Sequence, residues 1–108
     1  MIIHPITEVV CALIIKDDCV LIAQRGPTKQ QAGKWEFPGG KRNANETPET
    51  ALIREIKEEL SIDIIITGAL TVVHYGYAGY TIKLFPFLCT SENEPTLTEH
   101  SAYAKVAK

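Results

Sequence analysis

The stretch from Gly40 to Ile62, GKRNANETPETALIREIKEELSI, constrains the fold of this chain most, because here strand-like sequence gives way to a helical pattern behind a Pro-Gly-Gly loop. On a helix advancing about 100° per residue, Leu52, Ile53, Ile56 and Leu60 gather on an apolar arc. Glu55, Glu58 and Glu59, spaced i, i+3, i+4, project from a separate side. The start is well marked. Thr47 suits the N-cap, Pro48 the first helical position, where its missing N–H would be unpaired anyway, and Glu49 the positive end of the helix dipole.

Three carboxylates on one helical side repel one another by a few tenths of a kcal/mol per pair. A hard divalent cation removes that repulsion: Mg²⁺ takes oxygen ligands and is commonly held by carboxylates together with substrate phosphates. Phosphate-bearing small molecules are therefore the natural partners of this face. Taken alone, an acidic triplet reads equally as solvated surface, so the residues around it decide the matter.

Those residues sit at fixed spacing. Gly40, Glu46, Arg54, Glu55, Glu58 and Glu59, with Ile56 and Ile62 at two apolar slots, follow the pattern Gly, five residues, Glu, seven residues, Arg-Glu, apolar, any, Glu-Glu, any, Gly, apolar. The stretch 40–62 thus resembles the Nudix box. The segments before it, Leu21-Ile22-Ala23-Gln24-Arg25 and Lys34-Trp35-Glu36-Phe37-Pro38-Gly39-Gly40, are similar to the MutT branch of that family, which hydrolyses nucleoside triphosphates. Likeness to the branch runs more loosely from about Glu8 to about His100. One position departs: Ser61 stands where the box has Gly. A helix usually ends with a left-handed residue there, so Ser61 bears on helix stability and seating, not on the class of chemistry.

The resemblance implies an α+β chain, a Nudix-type α/β/α sandwich with the box helix packed on a mixed sheet. Residues 1–108 then form a single domain, which its length and 45% hydrophobic composition also favour. It further implies a C-terminal helix on the second sheet face. Tyr103 to Lys108 suffice for a strand and no more, so that helix is expected to be missing and the apolar face to be covered by a partner, a second copy in a homodimer, or residues beyond Lys108.

The apolar runs place strands at Val9–Ile15 and Val20–Gln24 about a turn at Lys16-Asp17-Asp18, with a short strand at Trp35–Phe37. Further strands are expected at Ile62–Ile66, Ala69–Tyr75 and Tyr80–Cys89, with turns at Gly68 and Gly76–Gly79 and an edge or bulge at Pro86. A net charge of −2 argues against binding polymeric nucleic acid, which calls for a basic surface. Neither a signal segment nor a membrane-length apolar run is visible, and Cys11, Cys19 and Cys89, odd in number and without CxxC spacing, read as reduced thiols of a soluble cytoplasmic protein.

The function implied is Mg²⁺-dependent hydrolysis, with Mn²⁺ as a substitute ion, of a nucleoside triphosphate to the monophosphate and pyrophosphate. The nucleotide could be an oxidised or non-standard one, and the resemblance implies attack of a metal-activated water at the β-phosphorus. Glu58 and Glu59 are the leading metal ligands, and Glu55 is a third ligand or the general base. Gly39, through its carbonyl, and Glu99 complete the family's donor set. Arg54 can pair with Glu58 one turn on and orients the carboxylates. Arg25 matches an arginine that meets substrate phosphate, Phe37 a base contact, and Gly40 the phosphate loop, with Tyr80 and Lys83 as further pocket residues. Glu46 is either a brace for the loop or an ordinary exposed Glu. Two alternatives stay open: hydrolysis of another nucleoside diphosphate-X compound, and a non-catalytic Nudix-like domain that binds a nucleotide or a protein.

Overall fold

In the computed structural model, residues 5–25, 34–77, 79–94 and 100–107 are described. Asp17 and Asp18 both adopt left-handed backbone, φ 54° and 60°. Such a two-residue turn matches the right-handed twist of its flanking strands, and Asp tolerates the conformation better than most residues. It joins β1 (Ile6–Lys16) to β2 (Cys19–Arg25), and the two strands pair only next to the turn, Ile15 with Val20 and Lys16 with Cys19. Beyond that they splay. The gap admits the segment before the helix, so β3 (Trp35–Glu36) pairs with β2 and β4 (Gly39–Lys41) pairs with β1. Between them Ala12 N donates to Pro38 O at 2.9 Å.

α1 (Pro48–Leu60) follows, then β5 (Ile65–Ala69), β6 (Val73–Tyr77), β7 (Tyr80–Thr90) and β8 (His100–Ala107). β7 runs parallel to β1 from Ile6↔Thr81 to Ile15↔Thr90. The other flank of β7 is shared, β6 lying along its first half and β5 along its second, while β8 pairs antiparallel with β2. Among the described residues the result is the expected α+β arrangement of one mixed sheet carrying one helix.

Strand alternation supplies the core. Val10, Ala12 and Ile14 of β1, Leu21 of β2, and Phe87 and Cys89 of β7 pack against Ala51, Leu52, Ile56 and Leu60 of α1. Each large apolar side chain fully withdrawn from water contributes roughly 1.5–3 kcal/mol. The other sheet face is more open, with Ile65, Val73, Tyr75 and Val106 between 41% and 67% exposed. Among the described residues, no helix is long and apolar enough to cross a membrane.

Four details correct the sequence expectations. Ile62 and Ile64 alternate as in a strand and are buried, yet β5 begins only at Ile65. Here side chains replace the ladder: Asp63 N donates to Asn93 Oδ1 at 2.9 Å, and Ser91 Oγ donates to Asp63 O at 2.7 Å. Gly68 lies inside β5 at a register shift, not in a turn; the strand is interrupted at 70–72 without reversing, and β6, which starts at Val73, continues along the same flank of β7. Gly76 likewise belongs to β6, leaving Gly79, φ 90°, at the turn into β7. Pro86 is in a central strand. Its carbonyl accepts from Leu70 N at 3.0 Å, so its missing N–H points to the same side, where β6 gives way to β5.

Candidate active site

The helix start forms as its sequence dictates. Thr47 caps it, with Thr50 N donating to Thr47 Oγ1 at 3.1 Å, and Pro48 opens the first turn. At the other end Ser61 takes the left-handed conformation, φ 57° and ψ 35°, and its N–H bonds Lys57 O at 3.0 Å. Ser thus adopts the backbone that Gly would take at less cost.

Two glycines set the approach of the loop to the helix. A Cβ on Gly39 would collide with the carbonyl oxygen of Val10 and stand 2.8 Å from Cys11 Cα, so only Gly lets β4 lie this close to β1. A Cβ on Gly40 would fall on the Glu55 carboxylate instead, with Oε1 only 2.8 Å away. Gly39 makes room for backbone, and Gly40 makes room for a functional side chain.

Arg54 organises the acidic face. Its Nε and Nη2 grip Glu46 at 2.6 and 2.8 Å, Nη1 reaches Glu55 at 3.0 Å and Glu58 at 3.2 Å, and Nη2 also donates to Lys41 O at 3.2 Å. The expected pairing with Glu58 is present, but Glu46 is the nearer partner. Hydrogen bonds from Arg54, and then from Asn43 N, hold the Glu46 carboxyl down at about 2, while the bond to Glu46, and then those to Glu55 and Glu58, push the Arg54 guanidinium further up. Glu46 is therefore the brace between loop and helix.

The helical side is less uniform than its spacing suggests. Glu58 is open to solvent, Glu55 is mostly covered, and Glu59 is only 6% exposed. A step of roughly 100° per residue brings Glu59 within about 20° of Leu52, inside the packed arc that runs from Ala51 to Leu60. Ile53, expected on that arc, is instead 47% exposed. Among the described residues, no three His, Cys, Asp or Glu side chains converge as a ready-made metal cluster. The donors nevertheless suit a hard divalent cation: all are oxygens, and Gly40 keeps open the space that the Glu55 carboxylate occupies.

Lys83 lies on β7 opposite Glu8, 5.2 Å from the Phe85 ring centroid, and lines a cleft of about 510 Å³ with Ile6, Thr7, Glu8, Lys41, Arg42 and Ala44. Tyr80 opens β7 opposite Tyr77 and does not line that cleft. Phe37 follows β3 and is 44% exposed, like Trp35, so neither is a core aromatic. Arg25 ends β2 opposite His100, at a register shift. Glu99 lies outside the described residues. Cys11 and Cys89 are buried, which pushes their thiols up to about 11 and about 12 and leaves them protonated at neutral pH.

One contact had no sequence signal. Arg42 crosses to Glu8 at the start of β1, Nε to Oε2 at 2.6 Å with Nη2 on the same oxygen. The two residues are 34 positions apart, and Arg42 fills a slot where the motif specifies nothing.

A family model described as the NUDIX domain matches residues 5–106. The chain is 41% identical over 104 residues to the 8-oxo-dGTP diphosphatase of Proteus vulgaris, covering 95% of this chain and 88% of that protein. It is 48% identical over 59 residues to the CTP pyrophosphohydrolase of Escherichia coli, covering 55% of this chain and 44% of that one. The crystal structure of a MutT NUDIX hydrolase from Burkholderia pseudomallei superposes with a TM-score of 0.85 at 30% identity, over 96% of this chain and 84% of that one.

Proposed function

This chain belongs to the Nudix family as a MutT-like hydrolase acting on pyrophosphate bonds, and we propose that it hydrolyses a nucleoside triphosphate to the monophosphate and pyrophosphate with a divalent cation. The observation that carries this reading is the Gly40–Glu55 contact beside the Arg54 network, which opens an acidic helix side directly onto the glycine loop. The Proteus relative supports an oxidised purine nucleotide, 8-oxo-dGTP, as the first substrate to test.

In this reading Glu58 and Glu59 would hold the cation, with Glu55 as either a third ligand or the general base, and the Gly39 carbonyl and Glu99 as further oxygen donors. The bound ion, Mg²⁺ or Mn²⁺, supplies positive charge for the phosphate oxygens and acidity for a water. The remaining work falls to the chain. Arg54 keeps Glu55 and Glu58 turned to one side and is itself anchored by Glu46, so the carboxylates do not have to be ordered anew at each turnover. As the general base, Glu55, next to the loop, would take the proton of the attacking water. Lys41 and Lys83 offer cationic contacts along the loop-side cleft, and Phe37 offers aromatic surface to a base, whereas Tyr80 lies too far along β7 to share that contact. Arg25 offers a charge for phosphate.

The test is hydrolysis of a panel comprising 8-oxo-dGTP, dGTP, CTP and a nucleoside diphosphate sugar, with and without chelator. We expect pyrophosphate release that stops in excess EDTA and returns with Mg²⁺ or Mn²⁺, and a loss of at least about a hundredfold in kcat for folded Glu58→Gln. Undiminished turnover in EDTA would refute the cation's role, and turnover of the sugar nucleotide alone would refute the substrate class.

A further inference from the structure

Arg42 is the most connected side chain that the proposed chemistry leaves unused. It spans three pieces of the molecule. Its Nε and Nη2 hold Glu8 at the start of β1, and its own N–H donates to Glu8 O at 3.0 Å, tying the loop to the strand twice. Its Nη1 donates to Glu46 O at 2.7 Å and to Asn43 O at 3.2 Å. The loop closes on itself as well, with Asn43 N on Glu46 Oε1 at 3.0 Å and Glu46 N on Asn43 O at 3.1 Å. Arg42 and Glu8 are each about a quarter exposed, 24% and 25%, so this ion pair is partly shielded from water.

The backbone that Arg42 fixes belongs to Glu46, whose carboxylate is the nearest partner of Arg54. A guanidinium has five donors in a fixed fork. Arg54 gives its two closest contacts to Glu46 and its longer ones to Glu55 and Glu58. If Glu46 recedes, the positive charge of Arg54 shifts onto Glu55 and Glu58, where it competes with any cation those carboxylates bind.

We propose that Arg42, clamped by Glu8, is a positioning residue for the acidic helix side: it holds Glu46 in place, and Glu46 in turn holds Arg54 to its longer contacts with Glu55 and Glu58. The proposal rests on the reading of that side as a cation site. Outer partners that orient ligands typically change metal affinity by about 10–100-fold when removed. For Arg42, two steps from the ligands, the expected change lies near the lower end.

The test uses Mn²⁺ alone, titrated into the full chain by calorimetry or electron paramagnetic resonance, with no nucleotide and no turnover. Arg42→Met is expected to raise the Kd for Mn²⁺ about tenfold. Glu8→Gln should raise it less, and the double variant should be no weaker than Arg42→Met, because Glu8 acts through Arg42. Arg42→Lys, which can reach Glu8 or the Glu46 carbonyl but not fork between them, should fall between wild type and Arg42→Met. If Glu58→Gln weakens Mn²⁺ binding while Arg42→Met leaves it within twofold of wild type, Arg42 is merely structural and the proposal is overturned while the cation site stands. Should neither variant weaken it, the cation site and the proposal fall together. If Arg42→Met does not fold, Glu8→Gln carries the test, and an unchanged Kd there overturns the proposal.

Discussion

Replacing Gly40 by Ala should separate activity from stability. The added methyl would overlap Glu55 Cδ and Oε2 and leave Oε1 at 2.8 Å, whereas ordinary contact begins near 3.4 Å. The carboxylate must therefore swing away by about 1 Å. It can do so, since it is the end of a flexible side chain, at about 0.5–1.5 kcal/mol for a strained rotamer. Ala in place of Gly in a strand returns about 0.5–1 kcal/mol through the unfolded chain. Net stability should thus change by under about 1 kcal/mol, or at most about 4–8 °C in Tm for a domain of this size.

Activity has no such compensation. A misplacement of about 1 Å at a reacting group can cost about a hundredfold in rate, equivalent to about 2.7 kcal/mol. Gly39→Ala is the control. Its methyl would meet Val10 O, with Val10 C at 2.9 Å and Cys11 Cα at 2.8 Å, all backbone that no rotamer relieves. Separating β4 from β1 should cost about 2–4 kcal/mol in overpacking and weakened ladder bonds. Pyrophosphate release at saturating nucleotide and thermal unfolding by circular dichroism read the two effects. A Gly40→Ala enzyme with wild-type kcat, or one destabilised as much as Gly39→Ala, would show that the Gly40–Glu55 contact does not shape the site.

Two further outcomes follow from the helix ends. Ser61→Gly should stabilise the fold by about 0.5–1 kcal/mol, the relief of about 1–2 kcal/mol of left-handed strain less the added freedom of an unfolded glycine, and a melting curve that does not rise would contradict the cap geometry. Glu46 is held at about 2 against an ordinary 4.5, chiefly by its hydrogen bonds from Arg54, so its contribution is present above pH 4.5 and lost as pH falls towards 2. Urea titrations across that window should show Glu46→Gln losing less stability than wild type, and parallel pH profiles would refute the assignment.

What could be read from the sequence was local. The helix with its cap, Pro48 start and Ser61 end is written in neighbouring residues, and so is the Asp17–Asp18 turn. The failures share a cause. Ile62 to Ile66 alternates identically whether another strand or the side chains of Ser91 and Asn93 meet the backbone, so alternation alone could not set the start of β5. Gly68 fits a turn and a bulge equally well, and only the register with β7 distinguishes them. A helical projection gives angles but not the edge of the packed surface, which is why Glu59 is covered and Ile53 is not. The Glu8–Arg42 pair joins positions that nothing in either segment connects.

The splayed hairpin explains why these long-range contacts matter to the proposed chemistry. Had β1 and β2 paired along their whole length, Trp35 to Lys41 would have no place in the sheet, and Gly39 could not lie against Val10 and Cys11. Because the strands part, β4 fixes the near end of the loop, while Arg42 and Glu8 fix its course over the start of β1. The helix, packed on the same sheet face, then brings Glu55 to Gly40 and Arg54 to Glu46. Two rigid elements and a loop stapled to both thus set the carboxylates' positions before any ligand arrives, the condition under which preorganised charge is most effective. Loosening the loop should for that reason weaken cation binding well before it unfolds the domain.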